Sequence, residues 1–302
     1  MKPGVLISLP VGTHRFGDDP RALVDLSRRA ERTGVDGVVL ADHVLLGKHV
    51  DRYPWGTFPF PSDAPWLEPI TVLTAIAVVT ERLKLTTGIL IVPLRPAPLL
   101  AKTIATLDVL SGGRVELGVG TGWQEEELTA QGIDPAKRGQ VLTDHIAACR
   151  ALWTDSPATF RSASVSFEDV WSVPKPLRPG GPPILFSGTL TKRNLDRIVN
   201  LGDGWIPIMG ETTEGIASGI ETLRRAYTAA GRAPGDLRVR APLPIARGAD
   251  KKPSLGATLD GMDALADVGV NDVYLTFTSF ASDEASTDRF FDELGQRLGG
   301  TR

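Results

Sequence analysis

Two side chains that could transfer a proton, those of Asp42 and His43, follow a short apolar segment of the chain. Residues Gly37 to Leu40 have the composition of a buried β-strand, and Ala41-Asp42-His43 come directly after it. Because imidazole titrates near neutral pH, His43 is the candidate for proton transfer. Asp42 is a candidate for orienting His43 or for binding a cofactor. The alternative is that both residues only cap the end of the strand.

A second stretch, Ser111 to Trp123, is rich in glycine where a predicted strand ends. The strand begins at Val115 and finishes in Gly118-Val119-Gly120-Thr121-Gly122. Glycines there permit a tight turn and close helix–strand packing, or they allow a flat or phosphorylated ligand to lie against the backbone. The spacing of these glycines does not match the dinucleotide-binding pattern. The stretch also lacks the Lys-Ser or Lys-Thr pair of a phosphate-binding loop. The stretch by itself leaves both interpretations open.

Other potentially reactive residues have ordinary explanations. Glu125, Glu126 and Glu127 lie in the first turn of a predicted helix, where negative charge is favoured whatever the function, so their position does not by itself indicate catalysis. Cys149, the only cysteine, lies on an apolar helical stretch and is expected in the core. The histidines lack metal-binding spacing, and we predict no metal site.

The composition argues against several classes of function. The chain has 302 residues, 42% of them hydrophobic and 23% charged, with a net charge of -3. A basic face for nucleic acid is therefore not expected. The longest apolar run, Gly88 to Leu94, is far too short to span a membrane, and the opening segment to Pro10 is too short for a secretory signal. We expect a soluble cytoplasmic protein.

Strand and helix patterns alternate eight times along the chain, with no change of composition that would mark a linker. This alternation requires parallel strands with crossover helices, and eight units close a barrel. We therefore predict an α/β fold, a single (β/α)8 TIM barrel over residues 1–302. One insertion, Val44 to Leu67, follows strand two, and the other, Thr154 to Gly181, precedes strand five. The alternative is an open, doubly wound sheet.

The chemistry of such a barrel lies at the C-terminal ends of its strands. In strand four, Glu116, Gly118 and Gly120 alternate with apolar residues, and if they face inward the two glycines leave space at the barrel mouth. The strand ends predict one site that contains Asp42, His43, Gly88, Ile89, Gly118, Gly120, Thr121, Gly122, Ser187, Gly188 and Thr189.

An ordered set of motifs along nearly the whole chain resembles the bacterial luciferase-like monooxygenase superfamily, and most closely its branch that uses the deazaflavin coenzyme F420. The strand-four block, Gly118 to Trp123 with Glu127 and Gly132, is the most specific part. The other motifs are Ala41-Asp42-His43, Thr87-Gly88-Ile89-Leu90, Leu107 to Arg114, Pro174-Lys175-Pro176 and Gly202-Asp203-Gly204-Trp205.

The resemblance implies roles for two strand ends. In the family a non-prolyl cis peptide backs the central flavin or deazaflavin ring, and Gly88-Ile89 is the matching step; the alternative is an ordinary bulge glycine. Ser187-Gly188-Thr189 opens a predicted helix after a strand, so its N–H groups and hydroxyls could hold a cofactor phosphate. The alternative there is that Ser187 or Thr189 simply caps the helix.

The resemblance also implies the reaction. We expect hydride transfer between F420 and a small organic substrate, with His43 as the proton donor or acceptor. The alternative is an FMN-dependent monooxygenase that receives reduced flavin from a separate reductase. A third possibility is a flavin-binding relative without turnover. A homodimer is expected from the resemblance alone, and the substrate is not identifiable from one sequence.

Overall fold

The computed structural model describes residues 2–10, 19 and 21–299, and the strands in these residues form a closed barrel and one hairpin. In chain order the strands are β1 (Gly4–Ser8), β2 (Gly37–Leu40), β3 (Lys84–Thr87), β4 (Leu90–Ile91), β5 (Val115–Gly120), β6 (Ala158–Arg161), β7 (Ser166–Val170), β8 (Ile184–Ser187), β9 (Gly204–Ile206), β10 (Arg238–Pro242) and β11 (Asp272–Thr276).

The barrel sheet is parallel throughout its described length. Its strands follow the order β3-β2-β1-β11-β10-β9-β8-β5-β4, and β3 also pairs with β5. That last pairing, with Leu85 opposite Val115, closes the sheet on itself. Because β3 and β4 together occupy one strand position, the barrel has eight strand positions. The predicted (β/α)8 fold is therefore confirmed, and the open sheet is excluded.

The third strand position of the barrel is interrupted at Gly88 and Ile89, between β3 and β4. The Gly88–Ile89 peptide bond is cis, in agreement with what the resemblance implies for this step. The N–H of Gly88 still donates to the carbonyl oxygen of Leu40 at 2.8 Å, so the interruption stays attached to β2. The break therefore lies beside the end of β2, where Asp42 and His43 follow.

The helices cover the outside of the barrel. They are α1 (Ala22–Thr33), α2 (Pro69–Ala77), α3 (Ala97–Ser111), α4 (Glu125–Ala130), α5 (Arg138–Thr154), α6 (Lys192–Leu201), α7 (Thr213–Ala229), α8 (Leu255–Asp260), α9 (Met262–Asp267) and α10 (Glu284–Leu298). Short 3-10 helices occupy Val50–Arg52, Val92–Leu94, Pro135–Lys137, Pro234–Asp236 and Phe277–Ser279. Among the helices described, none combines the length and apolar character needed to cross a membrane.

Local sequence explains where these helices end. Helix α3 stops at Gly112, whose φ of 68° is a left-handed conformation that glycine adopts easily. Helix α1 stops at Gly34 in the same way, with φ of 90°. The buried faces of the helices pack on the strands to form one large apolar core, which includes Leu26, Leu100 and Ile146.

The two predicted insertions are both present. The first runs from the end of β2 to α2 and contains only the 3-10 helix Val50–Arg52. The second contains the antiparallel hairpin β6–β7, in which Phe160 pairs with Phe167. The first insertion lies over the barrel mouth and supplies part of the site described below.

The barrel interior is charged below the mouth. Glu116 on β5 forms ion pairs of 2.6 Å with Arg238 and Arg240 on β10. Since β5 and β10 are not neighbours in the sheet, these contacts cross the barrel interior. The prediction that Glu116 faces inward is confirmed.

Candidate active site

A cavity of about 430 Å³ lies at the C-terminal ends of the barrel strands. This volume is within the range of small-molecule sites. The described residues around it include nine of the predicted site residues, namely Asp42, His43, Gly88, Ile89, Gly120, Thr121, Gly122, Ser187 and Gly188. The structure thus brings these nine residues together around one cavity, and their roles stay a prediction.

His43 is buried at the cavity wall, with 7% of its surface exposed. Its Nδ1 lies 3.0 Å from Oε2 of Glu127, which is 1% exposed. The other carboxylate oxygen of Glu127 accepts hydrogen bonds from the backbone N–H groups of Val44 at 2.5 Å and Leu45 at 3.2 Å. Because the carboxylate serves as the acceptor in all three contacts, Nδ1 of His43 is the donor, and Nε2 is left as the basic nitrogen of the neutral ring.

Asp42 does not orient His43. Its carboxylate instead forms a two-point ion pair with Arg95, at 2.6 and 3.0 Å, and accepts a hydrogen bond from the N–H of Ile91 at 2.8 Å. Burial raises the pKa of Asp42, and the Arg95 guanidinium offsets part of this effect. Of the two predicted roles for Asp42, orientation of His43 is wrong, because Glu127 occupies that position.

Arg95 connects Asp42 to the far end of the first insertion. Its second nitrogen lies 2.7 Å from Glu68, which caps α2 by accepting a hydrogen bond from the Thr71 N–H. Burial alone would raise the pKa of Glu68, but the hydrogen bonds from Thr71 and Arg95 outweigh this effect and lower the pKa. The insertion that begins after Asp42 and ends at Glu68 is therefore fixed to Arg95 at both ends.

Aromatic side chains surround His43. Trp66, Phe58 and Trp123 contact its ring edge-on, with ring centroids 4.7, 6.0 and 5.9 Å away. Phe58 and Trp66 belong to the first insertion. These residues line the cavity, so the insertion forms part of the site wall.

Two tyrosines complete this wall, Tyr53 from the insertion and Tyr274 from β11. Burial raises the pKa of Tyr53 and raises that of Tyr274 to about 12. Both phenols therefore keep their protons at physiological pH and can donate hydrogen bonds to a bound molecule.

Gly118 is not part of the described cavity lining, contrary to prediction. A Cβ atom at this position would lie 2.3 Å from the carbonyl oxygen of Thr87 and 2.7 Å from Cδ1 of Ile206. The space beside Gly118 is thus filled by the barrel itself rather than left for a ligand. At Gly120 a Cβ would meet the side chain of Ile89 at 2.9 Å, although Gly120 does border the cavity.

Thr189 also lies outside the described lining, whereas Ser187 and Gly188 border the cavity. Helix α6 begins later than predicted, because Thr191 caps it by accepting a hydrogen bond from the Asn194 N–H. The Asn194 amide donates to the carbonyl oxygens of Ser187 and Thr189 at 3.2 and 3.1 Å. The prediction that Ser187 to Thr189 open this helix is wrong; they form the connection before it.

Sequence reasoning missed the structural importance of Glu127 and Arg95. Both act on residues far away in sequence, and their own surroundings carried no pattern that distinguishes them. The position of Glu127 in a first helical turn had a sufficient explanation in the helix dipole. Only the motif shared with the family drew attention to it.

Comparison with known proteins supports the resemblance. The luciferase-like monooxygenase family matches residues 1–259. The chain is 34% identical over 259 residues to an uncharacterized protein of Mycobacterium tuberculosis, covering 85% of this chain and 86% of that one. The crystal structure of monooxygenase RslO1 from Streptomyces bottropensis shares the fold, with a TM-score of 0.78, 18% identity, and 99% and 98% of the two chains covered.

Two further relatives have names that state a cofactor. An F420-dependent glucose-6-phosphate dehydrogenase of Amycolatopsis mediterranei is 29% identical over 212 residues, which cover 69% of this chain and 59% of the relative. An FMNH(2)-dependent dimethylsulfone monooxygenase of Pseudomonas putida is 32% identical over 169 residues, 55% of this chain and 46% of the relative. On the match over residues 1–259, the chain belongs to the luciferase-like monooxygenase family.

Proposed function

We propose that the protein is an oxidoreductase that transfers a hydride between coenzyme F420 and a small organic substrate, with His43 as the proton donor and acceptor. The observation that supports this most directly is the buried pair of His43 and Glu127 on the cavity wall. An alcohol that gives up a hydride from its carbon must also lose the proton of its hydroxyl group, and a carbonyl whose carbon gains a hydride must gain a proton on its oxygen. An imidazole with one nitrogen fixed and the other free can serve both needs.

The residues around the cavity suit a flat cofactor. Gly120 and Gly122 at the end of β5 border the cavity, and so does the Gly88–Ile89 step beside the neighbouring strand β4. We propose that these residues and Thr121 hold the ring system, and that Ser187 and Gly188 contact the polar part of the cofactor. When bound, F420 supplies the carbon centre that accepts or delivers a hydride.

In this proposal, residues of the chain itself orient the proton-transfer group and exclude water from it. Glu127 holds the imidazole of His43 in one tautomer, and the N–H groups of Val44 and Leu45 hold Glu127. The aromatic side chains around His43 exclude water, which strengthens the hydrogen bonds that a substrate oxygen makes there. Asp42 supports this arrangement through Arg95 rather than by touching His43.

The second candidate is an FMN-dependent monooxygenase supplied with reduced flavin by a separate reductase, and the Pseudomonas putida relative favours it. Titration of the purified protein with F420 and, separately, with FMN distinguishes the two. We expect saturable binding of F420 and weaker binding of FMN. Tight binding of FMN alone, or binding of neither cofactor, would overturn the proposal.

A further inference from the structure

Five charged side chains form a continuous chain of ion pairs inside the barrel. Asp272 contacts Lys84 at 2.8 Å and Arg238 at 3.4 Å. Glu116 contacts Arg238 and Arg240, each at 2.6 Å. Two carboxylates are therefore shared among three cations, and Arg240 stands at one end of the chain of contacts. If Arg240 were removed, Glu116 would keep Arg238 and Asp272 would keep Lys84, so the ion pairs do not require this third cation.

Arg240 is the most deeply buried member of this group, with 0% of its surface exposed. Its Nη2 donates to Glu116, whereas its Nε and Nη1 have no hydrogen-bond acceptor in the part of the chain that the structure describes. Burial lowers the pKa of Arg240, and the Glu116 carboxylate offsets part of this effect. A guanidinium nevertheless keeps its proton, because its ordinary pKa is far above neutral. Arg240 thus places a positive charge where solvent ions screen it little.

Arg240 lies close to the wall of the cofactor cavity. On β10 it pairs with Asp272, which is two residues before Tyr274 on the neighbouring strand β11. Asp272 and Tyr274 point to the same side of β11, and Tyr274 borders the cavity. Ordinary strand spacings put the Cα atoms of Arg240 and Tyr274 about 8 Å apart. Burial raises the pKa of Tyr274 to about 12, and the charge of Arg240 acts against this rise, so its field reaches the cavity wall.

The charge of a cofactor in this cavity changes when it is reduced. The hydride leaves the substrate carbon with both electrons of the broken C–H bond and forms a new C–H bond on the cofactor ring. The substrate is oxidised and gives its hydroxyl proton to His43, while the ring gains one negative charge. A cation that is held nearby in the protein interior stabilises the reduced ring more than the oxidised one.

We infer that the charge of Arg240 stabilises the reduced state of the bound cofactor and so shifts the hydride-transfer equilibrium toward the reduced cofactor. The inference rests on the proposed function and adds a residue that tunes it. Arg240 acts through its electrostatic field and not by contact with the cofactor, since its side chain is enclosed by the barrel.

The test compares the dissociation constants of oxidised and reduced F420, measured without oxygen on the purified full-length chain. We expect the wild type to bind the reduced form more tightly. Arg240→Gln keeps a polar group beside Glu116 but removes the charge. It should weaken binding of the reduced form about tenfold relative to the oxidised form, the effect of one charge about 10 Å away at an effective dielectric constant of about 20. Arg240→Lys keeps the charge and should preserve the wild-type ratio.

Arg238→Gln is the matched control, because it makes the same change two residues earlier on the same strand. Arg238 borders a separate cavity, at the N-terminal ends of the strands, and its side chain is 25% exposed. Solvent therefore screens its charge from the cofactor more than that of Arg240. Arg238→Gln should change the ratio of the two dissociation constants by less than about twofold.

An unchanged ratio in Arg240→Gln, or an equal change in Arg240→Gln and Arg240→Lys, would overturn the inference. Tighter binding of oxidised than of reduced F420 by the wild type would overturn it without any variant. If F420 binds in neither state, the proposed function is wrong, and the same ratio measured with oxidised and reduced FMN still decides the role of Arg240. A chain that binds neither cofactor would overturn both.

Discussion

Oε2 of Glu127 lies 3.0 Å from Nδ1 of His43, although the two residues are 84 positions apart in the sequence. The pair joins the start of α4 to the chain after β2. The second carboxylate oxygen of Glu127 accepts hydrogen bonds from the backbone N–H groups of Val44 and Leu45. The carboxylate therefore cannot rotate without losing these hydrogen bonds. The geometry therefore fixes which nitrogen of His43 faces a ligand.

Glu127→Gln should reverse that choice. The amide oxygen is expected to stay on the Val44 and Leu45 N–H groups, which places the amide nitrogen against Nδ1 of His43. Nδ1 must then accept, and Nε2 carries the proton in the neutral ring. We expect turnover of an alcohol substrate to fall about 100-fold or more, as when a histidine is held in the wrong tautomer. Steady-state kinetics with F420 measures this.

Glu125→Gln is the control for that variant, because Glu125 lies in the same helical turn and is exposed. It removes the same charge at the same helix end without touching His43. Equal loss of turnover in both variants would show that charge near α4, and not the contact with His43, is responsible.

His43→Ala should abolish most of the hydride transfer while cofactor binding changes little. General acid–base groups contribute about 10²- to 10⁴-fold to rate, and His43 is the residue that we propose in this role. Turnover and the F420 dissociation constant are measured on the same preparation. His49→Ala, a change at a histidine that is 35% exposed, should have no effect. Unchanged turnover in His43→Ala would remove His43 from the mechanism.

Arg95→Ala should destabilise the protein through Asp42. Removing one partner of a buried ion pair leaves an uncompensated charge and typically costs about 3–5 kcal/mol. Arg95 and Asp42 have side-chain exposures of only 12% and 0%, so solvent does little to replace the contact. The free energy of unfolding, measured by urea denaturation, should fall by about 3 kcal/mol at pH 7. Arg52→Ala, at an exposed ion pair, should change it by less than about 1 kcal/mol.

The loss in Arg95→Ala should depend on pH. Burial already raises the pKa of Asp42, and removing Arg95 takes away an interaction that lowers it. A folded-state pKa above the unfolded value means that the stabilising effect of protonation is lost as pH rises through the folded pKa. The deficit relative to wild type should therefore be smallest near pH 4 and grow toward pH 7. A deficit that is constant over this range would contradict the assignment to Asp42.

Cys149 should be unreactive in the native protein. It is fully buried, and burial raises the pKa of its thiol to about 12, so only about 10⁻⁴ of it is ionised at pH 8. As the only cysteine, it should give no reaction with a disulfide reagent in buffer and one thiol per chain in denaturant. Val78→Cys, at a position 69% exposed, should add one fast-reacting thiol. Rapid native labelling of the wild type would contradict the burial of Cys149.

The barrel was predictable because each of its units carries local information. Glycines that end helices, such as Gly34 and Gly112, recur along the chain. The spacings of apolar residues that are typical of helices and of strands recur as well. The barrel topology then brings the strand ends together without any further information. The start of α6 was misplaced because Ser187, Thr189 and Thr191 are all able to cap a helix, and only the three-dimensional structure selects Thr191.

Contacts between distant residues could not be predicted in the same way. The Arg95 and Glu127 contacts depend on where the first insertion lies over the barrel mouth, and that segment has no periodic pattern. Gly118 shows the same limit, because a glycine that makes room for a ligand and one that makes room for backbone are identical in sequence. Its neighbours in the fold, Thr87 and Ile206, decide between the two.

Gly118→Ala tests this interpretation directly. The new Cβ would lie 2.3 Å from a backbone oxygen of Thr87, whose hydroxyl also donates to the Gly118 carbonyl at 2.8 Å, so neither strand can move away easily. Overpacking of this kind costs about 1–3 kcal/mol, and we expect a loss in that range by urea denaturation. Gly235→Ala is the control, since no described heavy atom would come within 4 Å of its Cβ. If Gly118→Ala instead weakened F420 binding while stability was unchanged, Gly118 would belong to the cofactor site after all.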